Sequence, residues 1–144
     1  MFVLDTNILV YAANLDSPFH ERCRRLLDDC RRQPLACYLT WGICYEFLRV
    51  VTHPRVLRNP WPATQAWALL EALFASPALG ILAPTERHRQ VVAEVIAAMP
   101  YLAGNLMHDA ATAVLMREHG IRRIYTRDTD FHRFSFLHPV DPVA

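Results

Sequence analysis

The chain has 144 residues, 53% of them apolar and 20% charged, with a formal net charge of +1. A chain of this size buries about 70% of the surface its unfolded form exposes, so a single domain over residues 1–144 folds without a disulfide or metal staple. No window reaches the roughly 18 uninterrupted apolar residues of a membrane span, and no basic region with a long apolar run opens the chain, so a cytoplasmic protein with no membrane association is expected.

Phe2-Val3-Leu4 is too short an apolar run for a helix face and reads as a strand buried on both sides, with Asp5 emerging at its end and Thr6 and Asn7 following. In open parallel sheets the ligand crevice lies beyond the carboxyl ends of the strands, where strand order reverses, which makes Asp5 a candidate site residue. Capping of the run Ile8 to Ala13 by Asp5 or Asn7 explains the same residues on local grounds. Ser17-Pro18 supplies an N-cap and an N1 proline, and Phe19, Cys23, Leu26, Leu27 and Cys30 recur at helical spacing up to Pro34. On the outer side Arg22, Arg24, Arg25, Arg31 and Arg32 alternate with Glu21, Asp28 and Asp29 as a solvated face.

Leu35 to Leu39 is a second strand, and Thr40 caps a helix that runs to about Thr52, ahead of Pro54. Trp41, Ile43, Cys44, Phe47, Leu48, Val50 and Val51 take up most of its circumference, as in a buried helix. Glu46 is its only acid and shares a narrow polar stripe with Gly42 and Arg49. A carboxylate so placed needs a cation, a metal or a donor, and a salt bridge to Arg49 is the simplest answer. His53 to Pro62, with three prolines, is a loop carrying Arg55, Arg58 and Trp61.

A helix at about 63–75 turns Trp67, Leu70, Leu73 and Phe74 inward, and Gly80-Ile81-Leu82 is a short strand. Thr85 opens a helix with Val91, Val92, Val95 and Ile96 on one side, ending by Pro100. Asn105 N-caps the next helix, which buries Leu106, Ala110, Ala113 and Val114 and closes at Gly120. Asp109 falls at the end of its first turn, where small neighbours let the helix approach the sheet. Arg123 to Thr126 is a strand leading into Arg127-Asp128-Thr129-Asp130-Phe131, and Phe134 to Val140 supplies a last strand. Strands separated by helices imply right-handed crossovers and an α/β fold, three layers α/β/α around a short parallel sheet of about five strands.

Cys23, Cys30, Cys37 and Cys44 recur every seven residues, yet the first two share one helix face, Cys37 lies in a strand and Cys44 on another helix, and they lack the short gaps of a zinc site; they read as buried reduced thiols. The fifteen basic residues are all arginine, which excludes a mechanism needing a catalytic lysine and leaves guanidinium groups suited to phosphate. Asp5 and Asp128 come from strand ends, Glu46 and Asp109 from helices beside them, so one crevice can collect all four. Carboxylates that close raise one another's pKa unless a cation is present, and oxygen ligands without a His or Cys cluster favour Mg²⁺ or Mn²⁺ over Zn²⁺. His108, beside Asp109, reads as structural or exposed.

Four motifs in order, D-T-N (Asp5 to Asn7), E-F-L-R (Glu46 to Arg49), G-N-L-x-H-D-A (Gly104 to Ala110) and T-R-D-T-D-F (Thr126 to Phe131), resemble those of the PIN domain over essentially the whole chain. T-W-x-x-x-x-E-F-L-R and T-x-P-R-V (Thr52 to Val56) are similar to a subgroup of VapC-type toxins. The resemblance implies a metal-dependent endoribonuclease, a homodimer held inactive by a cognate antitoxin protein. Carried over by position, Asp5, Glu46, Asp109 and Asp128 form the acidic quartet, with Asn7, Thr126 and Asp130 in support; Asp128 and Asp130 compete for the fourth place. Hydrolysis of an RNA phosphodiester would then use Mg²⁺ or Mn²⁺ held most directly by Asp5 and Asp109, with no covalent nucleophile. Arg49, Arg55 and Arg58 could meet the RNA backbone and Trp61 an unpaired base, or the loop is solvated and its Trp packed. Two alternatives remain: a phosphotransfer protein, which would require the lysine this chain lacks, and a catalytically silent PIN fold acting as an interaction module.

Overall fold

Three consecutive buried side chains, Phe2, Val3 and Leu4, place β1 (Phe2–Leu4) at the centre of a parallel sheet. The computed structural model describes residues 1–32 and 35–144. Among these residues the chain continues through α1 (Thr6–Ala13), α2 (His20–Arg32), β2 (Cys37–Thr40), α3 (Trp41–Val51), α4 (Ala63–Phe74), β3 (Leu79–Leu82), α5 (His88–Ala98), α6 (Asn105–Glu118), β4 (Arg123–Tyr125), a 3₁₀ turn at Thr129–Arg133, and β5 (His138–Val140). The expected α/β architecture is borne out: five parallel strands in the order β3-β2-β1-β4-β5, flanked by six helices. The chain builds outward from β1 to β2 and β3, then returns to lay β4 on the other side of β1, with Val3 opposite Ile124 and Leu4 opposite Tyr125. Strand order therefore reverses between β1 and β4, and a crevice opens at their carboxyl ends. Leu4, Ile8, Leu9, Leu39, Phe47, Ile124, Phe131 and Phe134 fill the core around this point.

Several element boundaries differ from the sequence reading, each for an identifiable reason. Ser17 does not start α2; its hydroxyl accepts from the Phe19 N–H (3.1 Å) in a local turn and the helix begins at His20. The expected stop at Pro34 lies outside the described residues. Thr85 turns back to bond Glu118 instead of capping, so α5 starts at His88. Gly104, at φ +57°, occupies the cap position expected for Asn105, which becomes the first helical residue and moves Asp109 into the second turn. The span from Phe134 shrinks to the three residues of β5, because Phe131 and Phe134 are buried by the 3₁₀ turn and the bend that follows it.

The helix α3 is not buried all round. Trp41 and Tyr45 are 47% and 69% exposed, and Trp67 of α4, expected inward, is 40% exposed. The Trp41 and Trp67 rings lean on Phe74, with centroids 6.0 and 6.2 Å from it, and Tyr45 packs on Trp41, so the outward faces of α3 and α4 are partly aromatic. The four cysteines are buried and free, as read. Among the described residues no helix is long and apolar enough to cross a membrane.

Gly120 closes α6 at φ +68°, with the Ile121 N–H donating to the Met116 carbonyl (2.9 Å) and the Gly120 N–H to that of Arg117 (3.2 Å). A side chain in this left-handed conformation is strained, so Gly120→Ala is expected to lower stability by about 1–2 kcal/mol, measured by urea denaturation.

Candidate active site

Asp5 leaves β1 with its backbone N–H bonded to the Tyr125 carbonyl (3.0 Å), which ties it to β4. Its Oδ1 accepts from the Thr6 N–H (2.7 Å), while Oδ2 accepts from the Thr126 hydroxyl (2.7 Å) and the Asn7 amide (3.1 Å). The capping reading and the site reading of Asp5 thus hold together, since a single carboxylate caps α1 and faces the crevice. Thr126, buried at the end of β4, also accepts from Asn7 (3.1 Å) and from the Asp128 N–H (2.9 Å). Asp128 in turn caps the 3₁₀ turn by accepting from the Asp130 N–H (2.8 Å). A chain of hydrogen bonds thereby sets Asp5 and Asp128 relative to each other across the reversal point.

The crevice has a volume of about 330 Å³ and is lined by Asp5, Asn7, Glu46, Asp109 and Asp128 together with Thr6, Val10, Tyr11, Val50 and His108. Carboxylate oxygens of Asp109, Asp128 and Asp130, all half-buried, lie within 4.8 Å of one another. Asp128 therefore both lines the crevice and joins this cluster, whereas Asp130 joins the cluster from its margin, with Arg133 Nε 3.5 Å away. Burial, then the charges of Asp128, Asp5 and Asp130, push the Asp109 carboxyl up to about 7. Burial likewise raises Asp5, partly offset by its bonds from Thr126 and Thr6. Glu46 goes the other way: Arg49 grips it with both Nε (3.0 Å) and a terminal nitrogen (2.6 Å) and holds its carboxyl below the usual range.

Arg49 thus reaches the site through Glu46. Arg55 and Arg58 are exposed on the loop after α3 and do not line the crevice, and Leu57 between them is buried. Trp61 packs partly buried against the core and lines a separate groove with Ala12, His20, Leu69 and Leu73. The sequence reading did not place Tyr11 or His108 at the crevice. His108 stands next to Asp109, where its proximity slightly opposes the rise at Asp5 and adds slightly to the lowering that Arg49 causes at Glu46; its adjacency to an acid was the available signal.

Three carboxylate oxygens this close suit a small divalent ion, whose octahedral oxygen ligands sit about 2.1 Å from the metal. A family model described as the PIN domain matches residues 2–137. Ribonuclease VapC48 of Mycobacterium tuberculosis is 33% identical over 141 residues, covering 97% of this chain and 96% of the relative. Ribonuclease VapC43 of the same organism is 34% identical over 148 residues, covering 98% and 97%. Among solved structures, the Mycobacterium tuberculosis toxin VapC20, described as cleaving the sarcin-ricin loop, superposes with a TM-score of 0.67 at 19% identity over 95% of this chain and 97% of that one. VapBC2 from Rickettsia felis, solved bound to a DNA fragment from its promoter, gives 0.67 at 17% identity, covering 96% of each.

Proposed function

The chain belongs to the PIN domain family, and from that premise we propose that it is a divalent-metal-dependent endoribonuclease, the toxin of a toxin-antitoxin pair, acting as one domain over residues 1–144. The observation that carries the chemistry is the cluster of Asp109, Asp128 and Asp130 facing Asp5, with the Asp109 carboxyl pushed up to about 7 by burial and then by its acidic neighbours. Mg²⁺ or Mn²⁺ would be held by Asp109 and Asp128 with Asp5 and Asp130 at hand, and when bound supplies the charge that acidifies a water and stabilises the leaving oxygen. The chain's own residues prepare that site. Thr126 and Asn7 lock the rotamer of Asp5, the Thr126 hydroxyl positions the backbone of Asp128, and Arg49 keeps Glu46 ionised at the crevice wall. The test is cleavage of total RNA by the purified protein with Mg²⁺, with Mn²⁺ and with EDTA. Cleavage in either ion that EDTA stops supports the reading; no cleavage in both ions makes the chain a silent interaction module.

The same reading gives the partners. An antitoxin side chain carrying a guanidinium would enter the crevice as counter-charge, in the way Arg49 already serves Glu46. The protein would work in the cytoplasm as a homodimer. Arg55 and Arg58 are exposed on the loop that follows α3, and changing both to Ala is expected to reduce the slope of log RNA affinity against log salt by about 1.4, at roughly 0.7 per lost single-strand contact. Fluorescence anisotropy across a salt series checks it, and an unchanged slope moves the RNA path off this loop.

A further inference from the structure

Building on the ribonuclease reading, we propose that the sheet's opposite end carries a second RNA contact, a cationic cavity of Arg122, Arg123 and His138 that grips backbone phosphates of a structured RNA reaching past the crevice. The cavity, about 520 Å³, is lined by Met1, Gly120, Ile121, Arg122, Arg123 and His138, with no carboxylate among them. Arg123 and His138 are register partners at the amino ends of β4 and β5, the strand β4 being the one whose carboxyl end leads to Thr126 and Asp128. That strand is three residues long, so the two ends lie about 10 Å apart along the backbone. A folded RNA that bends round the β5 edge of the sheet can touch both.

Charge balance sharpens the point. The net charge is +1, but five of the fourteen acids, Asp5, Glu46, Asp109, Asp128 and Asp130, gather at or beside the crevice. Arg49 and Arg133 pair with two of those acids and the Glu118 side chain is buried, so eight acids are left to face thirteen arginines over the rest of the surface, and a polyanion must be drawn by local patches, since the net charge offers almost nothing. Many arginines are locally compensated: Arg49 by Glu46, Arg117 by Glu94, Arg127 by Asp141, Arg133 by Asp130. Among the described residues neither Arg122 nor Arg123 has a carboxylate within 4.0 Å. Arg122 uses Nε to donate to the Phe136 carbonyl (3.3 Å), which fixes its stem and leaves both terminal nitrogens for a ligand.

The competing explanation is that these arginines neutralise the carboxyl end of α6, just before them. Other groups already do that work. The Met116 and Arg117 carbonyls accept from Ile121 and Gly120, and Arg87 donates to the Glu118 carbonyl (3.2 Å). Paired guanidinium groups with free forks in an acid-free cavity match phosphate geometry.

The test compares wild type with the double variant Arg122→Ala/Arg123→Ala, and with Arg24→Ala/Arg25→Ala as a charge-matched control on the exposed side of α2. Anisotropy of a labelled stem-loop RNA is followed in EDTA over a salt series. Expected is a fall in the log–log salt slope of about 1.8 for Arg122/Arg123, at roughly 0.9 per lost duplex phosphate, with the control unchanged. An unchanged slope, or an equal fall in the control, overturns the proposal. Cleavage of a short single-stranded oligonucleotide in Mg²⁺ or Mn²⁺ should be equal in wild type and the Arg122/Arg123 variant. If neither cleaves any RNA the ribonuclease reading has failed, while the slope measured in EDTA still decides the patch.

Discussion

Replacing Asp109 with Asn is expected to cut RNA cleavage by more than about a hundredfold, beyond the 10–100-fold typical of losing a group that merely supports a metal ligand. The same change should make the metal-free protein more stable at neutral pH. The Asp109 carboxyl, ordinarily at 3.8, is pushed up to about 7 by burial first and then by Asp128, Asp5 and Asp130. A folded pKa above the unfolded one means that the folded state binds the extra proton. Metal-free stability is then greatest below the unfolded value and declines as pH rises from about 4 to about 7. Asn cannot titrate, so this decline should flatten in the variant. Thermal melts in EDTA at a series of pH values measure it. Added Mg²⁺ or Mn²⁺ should raise the melting temperature of the wild type by mass action and do far less for the variant. Asp5→Asn should also abolish cleavage, with a smaller stability gain, because Asp5 accepts from Thr6, Asn7 and Thr126 and Asn can satisfy fewer of them. Wild-type turnover in Asp109→Asn would reject the metal role.

Glu118→Ala is expected to cost about 3 kcal/mol in chemical denaturation, a large loss for a single change away from the crevice. Its side chain is fully buried, with Oε1 accepting from the Thr85 N–H (3.0 Å) and hydroxyl (2.6 Å) and Oε2 meeting His88 Nδ1 at 2.5 Å. These bonds pin the entry of α5 to the end of α6, so removing the carboxylate leaves donors at Thr85 and His88 without their acceptor. Glu118→Gln keeps the packing and an acceptor for Thr85 and should cost about 1 kcal/mol; equal losses for Ala and Gln would mean that the carboxylate's charge and its bond to His88, not packing or the Thr85 bonds, are the cause. Burial works to raise this carboxyl, but the bonds from Thr85 and His88 outweigh it and hold it below the ordinary 4.5. A depressed folded pKa contributes stability above the unfolded value that is lost as pH falls through the folded one. With Asp109 acting in the opposite sense, stability without metal should peak in mildly acidic solution and fall on both sides.

Much of the site could be read in the linear chain because its signals are local. Three apolar residues ending at Asp5, a helix with Glu46 as its only acid, and Asp128 directly after a strand each announce themselves within a few residues. The outward aromatics of α3 and α4 could not be read in this way. Apolar periodicity assigns Trp41 and Trp67 to the interior, and only their packing against Phe74, with Tyr45 beside Trp41, shows that they lie at the surface. Caps misled for a related reason: Ser17 and Thr85 have cap chemistry, yet Thr85 finds a stronger partner in Glu118, 33 residues away.

The sequence by itself determined the fold class and the carboxylate inventory, since alternating strands and helices with buried three-residue strands leave few options beyond a parallel sheet. It also narrowed Glu46 to a few partners, one of them Arg49, an i to i+3 neighbour on the same helix. Only the tertiary structure decided strand order, and with it the reversal between β1 and β4 that sets Asp5 beside Thr126 across 121 residues of chain. It alone decided that Asp128 lines the crevice while Asp130 stands at its margin, that His108 and Tyr11 share the wall, and that Trp61 faces another groove. Local spacing fixes which side chains share a face of one element, whereas which elements become neighbours is settled by the burial of the whole core, and no single stretch of sequence encodes that.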